Sequence, residues 1–141
     1  TEADAAKFTA LCDQLTDQYN NLQLKPWADP TLCGDGEKTL GENIADIRGC
    51  CLALQILLGE HPNATAAEKK ALIQRFFQGW AIQWSITYDL DFLKYMKEVD
   101  VHSQARERTN GVVRNIDEWY DAYDVKSGTL YLAPDKRVRI W

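Results

Sequence analysis

The strongest constraint on the fold is an apolar stripe that begins after Thr39 and ends before Pro62. Its apolar residues recur every three or four positions, the spacing of one helix face. They are Leu40, Ile44, Ile47, Cys51, Leu54 and Leu58. Gly59 and Pro62 mark the end of the predicted helix. The opposite side carries Gly49 and Ala53, whose small size predicts that another backbone packs closely there.

Two further helices are predicted from capping boxes. Residues 1–4 (Thr-Glu-Ala-Asp) start a helix that is expected to end near Leu22. Residues 65–68 (Thr-Ala-Ala-Glu) start another, and this reading is favoured over use of Asn63 as a glycosylation acceptor. The second of these helices carries an aromatic-rich face that we interpret as core. The face consists of Leu72, Phe76, Phe77, Trp80, Ala81 and Trp84.

The remaining segments predict shorter elements. Residues 25–38 contain two prolines and two glycines and are expected to form a loop. A fourth helix is predicted over residues 89–98. Its inward-facing residues are expected to be Leu90, Leu93 and Tyr95. A short last helix is predicted after the capping residue Asn115, and the tail from Val125 is expected to lie extended across the helices.

Composition limits the classes of function. With 141 residues, of which 45% are hydrophobic, the chain can bury the core of one domain. The net charge of -5 and the pI near 5.0 argue against nucleic acid as a partner. No apolar run approaches the roughly 20 residues that span a bilayer, so no transmembrane segment is predicted. Because residue 1 is Thr rather than Met, we expect the chain to be part of a longer polypeptide.

The four cysteines do not predict a metal or redox motif, because no two are separated by two residues. Cys50 and Cys51 are neighbours, and a bridge between neighbours strains the peptide that joins them. We interpret the cysteines as small buried hydrophobic residues. A disulfide between Cys12 and Cys33 is the one pairing left open.

Two carboxylates form the first polar cluster. Glu42 and Asp46 are four residues apart, so on a helix both project from one face. Such a pair suits a metal site, in which one carboxylate binds the ion and the other orients a neighbouring ligand. Thr39 and Glu42 also have the spacing of a capping box, and on these residues alone the capping interpretation is favoured.

The second polar cluster surrounds His102. Asp100 and Arg108 flank it, and a carboxylate beside an imidazole favours the imidazolium, which can donate a hydrogen bond to an oxyanion. These residues equally fit a structural histidine. The other histidine, His61, precedes a proline and is predicted to be exposed in a turn.

The common catalytic motifs are absent from the sequence. It contains no H-E-x-x-H zinc motif, no Gly-x-Ser-x-Gly elbow, no P-loop and no dinucleotide fingerprint. A catalytic zinc normally has three protein ligands, and this chain offers Glu42 and two poorly placed histidines. The local motifs alone indicate a helical domain with two polar clusters.

Taken together, the two clusters resemble the C-terminal part of the catalytic domain in the neprilysin and endothelin-converting-enzyme family of zinc metallopeptidases. The resemblance covers nearly the whole chain in order, spacing and distance from the C-terminus. It lies in residues 41–46 (Gly-Glu-Asn-Ile-Ala-Asp), residues 100–103 (Asp-Val-His-Ser), Arg108, Asn110, Gly111, Asn115, Pro134 and residues 138–141 (Val-Arg-Ile-Trp).

The resemblance implies a role for each polar residue. Glu42 would be the third ligand of one zinc ion, together with two histidines of an H-E-x-x-H helix outside this chain. Asp46 would orient one of those histidines. His102, partnered by Asp100, would stabilise the tetrahedral intermediate, and Arg108 would bind a carbonyl of the peptide substrate. Loss of such an oxyanion donor typically costs about 10²- to 10³-fold in rate.

The resemblance also implies the fold: a mainly α, helical C-terminal subdomain of a thermolysin-like (gluzincin) metallopeptidase with an extended C-terminal tail. Residues 1–141 would form a single helical fragment. Five positions depart from the family pattern. Gln104 replaces a proline, residues 47–48 (Ile-Arg) replace Asn-Gly, and Val125 and Val138 replace cysteines of animal members, which indicates a bacterial-type relative.

We therefore predict a fragment of a zinc metalloendopeptidase that hydrolyses small peptides, is inactive alone and has the remainder of its parent chain as its partner. An extracytoplasmic location follows from the resemblance. One alternative is a degenerate family member that serves as a peptide-binding or scaffold module. Another is an unrelated helical interaction domain, which a separation of Glu42 and His102 beyond about 12 Å would favour.

Overall fold

The computed structural model describes residues 1–22 and 34–140, and this part of the chain is helical with no strand. It contains α1 (Glu2–Asn20), α2 (Leu40–Glu60), α3 (Ala66–Gln83), α4 (Leu90–Val99), α5 (Ala105–Val113), α6 (Asp117–Tyr123) and a short 3-10 turn at Pro134–Lys136. The predicted mainly α fold is confirmed. Most of the predicted loop at 25–38 lies outside the described residues, as do Cys33, the open Cys12–Cys33 pairing and Trp141.

Both predicted capping boxes start helices in the structure. The Thr1 hydroxyl accepts a hydrogen bond from the Asp4 backbone N–H at 3.2 Å. At α3 the Thr65 hydroxyl accepts from the Glu68 N–H, and the Glu68 carboxylate accepts from the Thr65 N–H at 2.8 Å. These bonds satisfy N–H groups that a helix start leaves without partners, which fixes where α1 and α3 begin.

Helix α2 lies at the centre of the bundle and packs against α1, α3 and α5. Its buried side chains include Ile47, Cys50 and Leu54, which join Leu15 and Tyr19 of α1 in one core. Full burial of one such aliphatic side chain contributes about 1.5–3 kcal/mol. The helix that carries the predicted apolar stripe is therefore the one on which α1, α3 and α5 pack.

The cysteines follow the predicted pattern where the structure describes them. Cys12 and Cys50 are buried and Cys51 is half-buried, and the thiols of Cys50 and Cys51 are free. Burial raises the pKa of the Cys50 thiol to about 12, with smaller contributions from Cys51 and Asp46. A thiol that resists ionisation is a packing group rather than a nucleophile.

The tail crosses α1 as expected and includes the 3-10 turn. The Lys136 carbonyl accepts hydrogen bonds from the Gln14 and Gln18 side chains at 2.7 and 2.8 Å. The Val138 backbone N–H donates to the Asn115 side chain at 2.7 Å, and Val138 itself is buried. Polar anchors at both points hold the tail where its apolar side chains reach the core.

The prediction that Asn115 caps the last helix is wrong. The cap position of α6 is Ile116, and it makes no side-chain capping bond. Asn115 is instead 1% exposed, and its amide donates to the Gly111 carbonyl and to Gln18. Because Asn115 also accepts a hydrogen bond from the Val138 N–H, its side chain joins α1, α5 and the tail instead of capping α6.

Two helix faces that the sequence predicts to pack against other elements are exposed among the described residues. On α4 only Leu93 is buried, whereas Leu90 is 44% and Tyr95 58% exposed. The apolar arc of α4 is wider than the strip that packs on the bundle, which explains the difference. On α2 no described atom lies within 4 Å of a Cβ built on Gly49, so the predicted close backbone contact is not formed there.

Helix α5 was not predicted, because its sequence is mostly polar. It starts where the Gln104 backbone N–H donates to the Glu107 carboxylate at 3.0 Å. No helix within residues 1–22 and 34–140 is both long enough and apolar enough to cross a membrane.

The contact between α1 and α5 predicts that alanine substitutions at Gly111 and at Gly49 change the stability of the chain in opposite directions. A Cβ on Gly111 would lie 2.6 Å from the Tyr19 ring, whereas one on Gly49 meets no described atom within 4 Å. We expect Gly111→Ala to destabilise the chain by about 1–3 kcal/mol through overpacking. Gly49→Ala should stabilise it by up to about 1 kcal/mol, the helix preference for Ala. Urea denaturation midpoints of the two variants would test this, and equal shifts would contradict it.

Candidate active site

The two polar clusters of the sequence meet in the structure. Glu42, in the first turn of α2, places its Oε2 3.1 Å from Nε2 of His102, in the loop between α4 and α5. The Glu42 and His102 side chains are 43% and 39% exposed, so the pair faces an accessible surface. The separation of these residues is therefore well inside the limit set for one substrate-sized site.

Asp100 holds the other edge of the His102 ring. Its Oδ1 lies 2.8 Å from Nδ1 and also accepts the His102 backbone N–H at 3.1 Å. The ring hydrogen bond and then the backbone hydrogen bond lower the pKa of the Asp100 carboxyl. With a carboxylate at Nδ1, the ring is oriented so that Nε2 points towards Glu42, a position from which it can donate to an incoming oxygen.

Asp46 binds Arg108 through two parallel hydrogen bonds. Arg108 Nε and Nη2 donate to the two carboxylate oxygens, each at 2.7 Å. These bonds raise the pKa of Arg108 above its already high ordinary value. Both side chains are largely buried, at 19% and 13% exposed, and such a bidentate pair fixes orientation as well as charge. Asp46 engages two of the five guanidinium N–H groups, so this pairing does not exhaust the donors of Arg108.

Two tryptophans support Arg108: Trp80 of α3 and Trp84, which directly follows α3. The guanidinium carbon lies 3.9 Å from the centre of the Trp84 ring, a cation–π arrangement. The Trp80 indole N–H donates to the Arg108 carbonyl at 3.2 Å. The sequence predicted both residues as core, and both are in fact half-buried. Their spacing showed that they share a face, but nothing in the sequence connected that face to Arg108.

A buried chain of hydrogen bonds lies directly behind the Glu42–His102 pair. The Ser103 hydroxyl donates to Asn43 Oδ1 at 2.6 Å. Asn43 Nδ2 donates to the Thr39 hydroxyl at 2.9 Å, and that hydroxyl donates to the Asp35 carbonyl at 2.7 Å. The sequence placed Asn43 and Ser103 in the two motifs but assigned neither a role.

This chain of bonds shows why the capping interpretation of Thr39 and Glu42 is wrong. Thr39 occupies the cap position of α2 but makes no side-chain capping bond. Its hydroxyl is engaged by Asp35 and Asn43, and the Glu42 carboxylate faces His102 instead of the cap N–H. The Glu42 carboxylate therefore takes no part in capping α2.

Glu107 is a buried titratable group beneath the same loop, and sequence reasoning missed it. It is 5% exposed and accepts the Gln104 N–H. Burial raises the pKa of its carboxyl to about 7, against smaller opposing effects of the Gln104 N–H, the Lys97 charge and the Gly34 N–H. Desolvation outweighs these partners because it penalises the charged form directly.

Among the described residues, this site offers one side chain suited to bind a zinc ion. Glu42 offers an accessible carboxylate, a normal zinc donor, with His102 beside it. Within residues 1–22 and 34–140, no group of three or more His, Cys, Asp or Glu side chains is placed to hold a metal ion.

Comparison with known proteins assigns the chain to a class. The sequence profile of peptidase family M13 matches residues 1–140, so the chain belongs to this family. It is 33% identical to a neutral endopeptidase of Lactococcus lactis over 108 residues, covering 76% of this chain and 16% of the relative. It is 28% identical to human neprilysin over 148 residues, covering 100% of this chain and 19% of the relative. The predicted family is confirmed.

The fold is also that of a solved relative. The open-state structure of the zinc metalloprotease Zmp1 of Mycobacterium tuberculosis superposes with a TM-score of 0.87 at 34% identity. The match covers 100% of this chain and 23% of the Zmp1 chain. The chain therefore spans less than a quarter of these larger peptidases, and its helices have the arrangement found in a zinc metalloprotease.

Glu107 predicts a pH-dependent stability. Its folded-state pKa of about 7 lies above the ordinary value of 4.5, so between these limits the native state binds more protons than the unfolded state. Stability should therefore fall as pH rises from about 4.5 to 7. Urea denaturation across this range should show a flatter profile for Glu107→Gln. The exposed Glu60→Gln serves as the control, and an unchanged slope in Glu107→Gln would contradict the assignment.

Proposed function

We propose that this chain is the C-terminal portion of the catalytic domain of a zinc-dependent endopeptidase that hydrolyses small peptides. The observation that carries the proposal is the 3.1 Å approach of the Glu42 carboxylate to His102 Nε2. Two residue types needed for metal-assisted hydrolysis, a metal-binding carboxylate and an oxyanion donor, thus share one accessible surface. Membership of a peptidase family supports the reaction class.

Glu42 would bind the zinc ion together with two histidines from another part of the parent protein. Catalytic zinc sites normally use three protein ligands, and this chain would supply one of them. When bound, zinc supplies Lewis-acid chemistry that polarises a peptide carbonyl. Since Glu42 lies in the first turn of a helix anchored in the core, its carboxylate is presented from a rigid element.

His102 would stabilise the negative charge that develops on the carbonyl oxygen. Asp100 fixes the ring, so the Nε2 edge is oriented before substrate arrives. A preoriented donor loses little energy to reorganisation during the reaction, which is the basis of oxyanion stabilisation. His102 and Glu42 converge on one position, so the donor would lie beside the carbonyl that reacts.

Arg108 would bind another carbonyl of the peptide substrate. Asp46 and Trp84 hold its guanidinium in place, and the remaining N–H groups provide the donors. Asp46 would also orient a zinc-binding histidine of the parent protein, because a carboxylate can accept more bonds than the two from Arg108. The same carboxylate would then connect the metal ligands with the substrate-binding arginine.

Variants of the full-length parent protein separate the two main roles. Glu42→Ala should lose zinc and activity together. His102→Ala should keep zinc, with kcat lowered about 10²- to 10³-fold. Zinc content by elemental analysis and peptide cleavage with and without chelator measure both effects. His61→Ala, an exposed turn histidine, is the matched control and should match the wild type. Full zinc content in Glu42→Ala, or normal kcat in His102→Ala, would exclude the assigned roles.

The proposal also makes expectations about the isolated chain and about the location of the parent protein. The isolated chain should neither cleave peptides nor bind zinc tightly, because two ligands lie elsewhere. Mixing it with a fragment that bears the zinc helix should restore chelator-sensitive cleavage, whereas cleavage by the isolated chain alone would contradict this. The extracytoplasmic location inferred from the family resemblance is tested by cell fractionation.

A further inference from the structure

We propose that Asn43 and Ser103 are positioning residues that set the distance between the Glu42 carboxylate and the His102 ring. The proposal rests on the proposed function, because it concerns how the metal ligand and the oxyanion donor are held together. Asn43 follows Glu42 on α2, and Ser103 follows His102 in the loop before α5. The Glu42–His102 and Asn43–Ser103 contacts are therefore adjacent and parallel, at 3.1 and 2.6 Å.

The two contacts differ in their access to water. The Glu42 and His102 side chains are about 40% exposed, and an ion pair in that environment contributes little by itself. Asn43 is 1% and Ser103 6% exposed. Breaking their bond would leave buried polar atoms without partners, which is far more costly. The buried pair therefore determines how the loop sits on α2.

The direction of each hydrogen bond is fixed by its neighbours. The Thr39 hydroxyl donates to the Asp35 carbonyl, so it accepts from the Asn43 amide group. Asn43 Oδ1 is thereby left to accept from the Ser103 hydroxyl. Each member has one defined role in the chain, which makes a single arrangement of α2 and the loop more stable than its alternatives.

The following residues hold the other side of the loop. Gln104 is fixed by its bond to Glu107 at the start of α5, and Asp100 fixes the backbone N–H of His102. Between these two points, Ser103 makes the buried hydrogen bond that joins the loop to α2. Removing its hydroxyl would free the loop to move relative to Glu42 while its own ends stay in place.

The expected effect is on the rate rather than on substrate or zinc binding. A misplacement of about 1 Å at a reacting centre can cost 10²-fold in rate. In the full-length parent protein, Ser103→Ala should lower kcat about ten- to hundredfold, with KM and zinc content unchanged. Ser103→Thr keeps the hydroxyl and should restore most of the wild-type kcat. Asn43→Ala/Ser103→Ala should be no slower than Asn43→Ala, because both changes remove the same interaction.

A matched control separates positioning from general loss of stability. Thr65→Ala removes the exposed cap of α3 and should lower stability by the usual cost of a lost cap, with normal kcat. If Ser103→Ala does not fold, Ser103→Cys replaces it, because cysteine keeps the size and is only a weak donor. Its kcat should lie below that of Ser103→Thr.

The outcomes distinguish this proposal from the proposed function. A wild-type kcat in Ser103→Ala, or a kcat in Ser103→Thr as low as in Ser103→Ala, would overturn the positioning role. The proposed peptidase function would still stand if the wild-type protein showed chelator-sensitive cleavage. Additive losses in the double variant would also overturn it. Absence of chelator-sensitive cleavage in the wild-type protein would overturn both.

Discussion

Helix α2 is joined to the segment around α5 at two polar contacts one helical turn apart. Asn43 accepts a hydrogen bond from the Ser103 hydroxyl, and Asp46 accepts two hydrogen bonds from the Arg108 guanidinium. Because these contacts are mostly or wholly buried, each requires correct geometry, and the spacing of three residues between Asn43 and Asp46 places both on one face of α2. Glu42 lies beside the first contact, so its approach to His102 depends on the same alignment.

The apolar core keeps that alignment in place. Tyr19 of α1 packs directly on the backbone of α5 at Gly111, where no side chain would fit. Asn115 then joins the end of α5 to the tail, and Trp84, which directly follows α3, supports Arg108. The site therefore lies on helices that contacts from several parts of the chain hold in place. Such support is what keeps the side chains of a site in a fixed geometry.

The sequence predicted most of the elements that local signals define, and missed contacts between residues that are distant along the chain. Thr1 and Thr65 caps and a regular apolar spacing located α1 to α3 well. Helix α5 was missed although its start is local, because its sequence is mostly polar. It begins where the Gln104 N–H donates to the Glu107 carboxylate, three residues further on, and a proline at position 104 would have no N–H to donate. Asn115 has the local form of a cap but is drawn into the interior by its tertiary partners. The pairing of Glu42 with His102 followed from family resemblance, since no local pattern connects residues so far apart.

The most direct test is an anomalous diffraction experiment at the zinc edge on crystals of the full-length protein. The central claim is that Glu42 binds the metal with His102 beside it. We expect one zinc ion with a Glu42 oxygen at about 2.0–2.2 Å, two histidine ligands from outside this chain, and His102 uncoordinated. A zinc ion coordinated without Glu42, or one bound directly by His102, would contradict that claim.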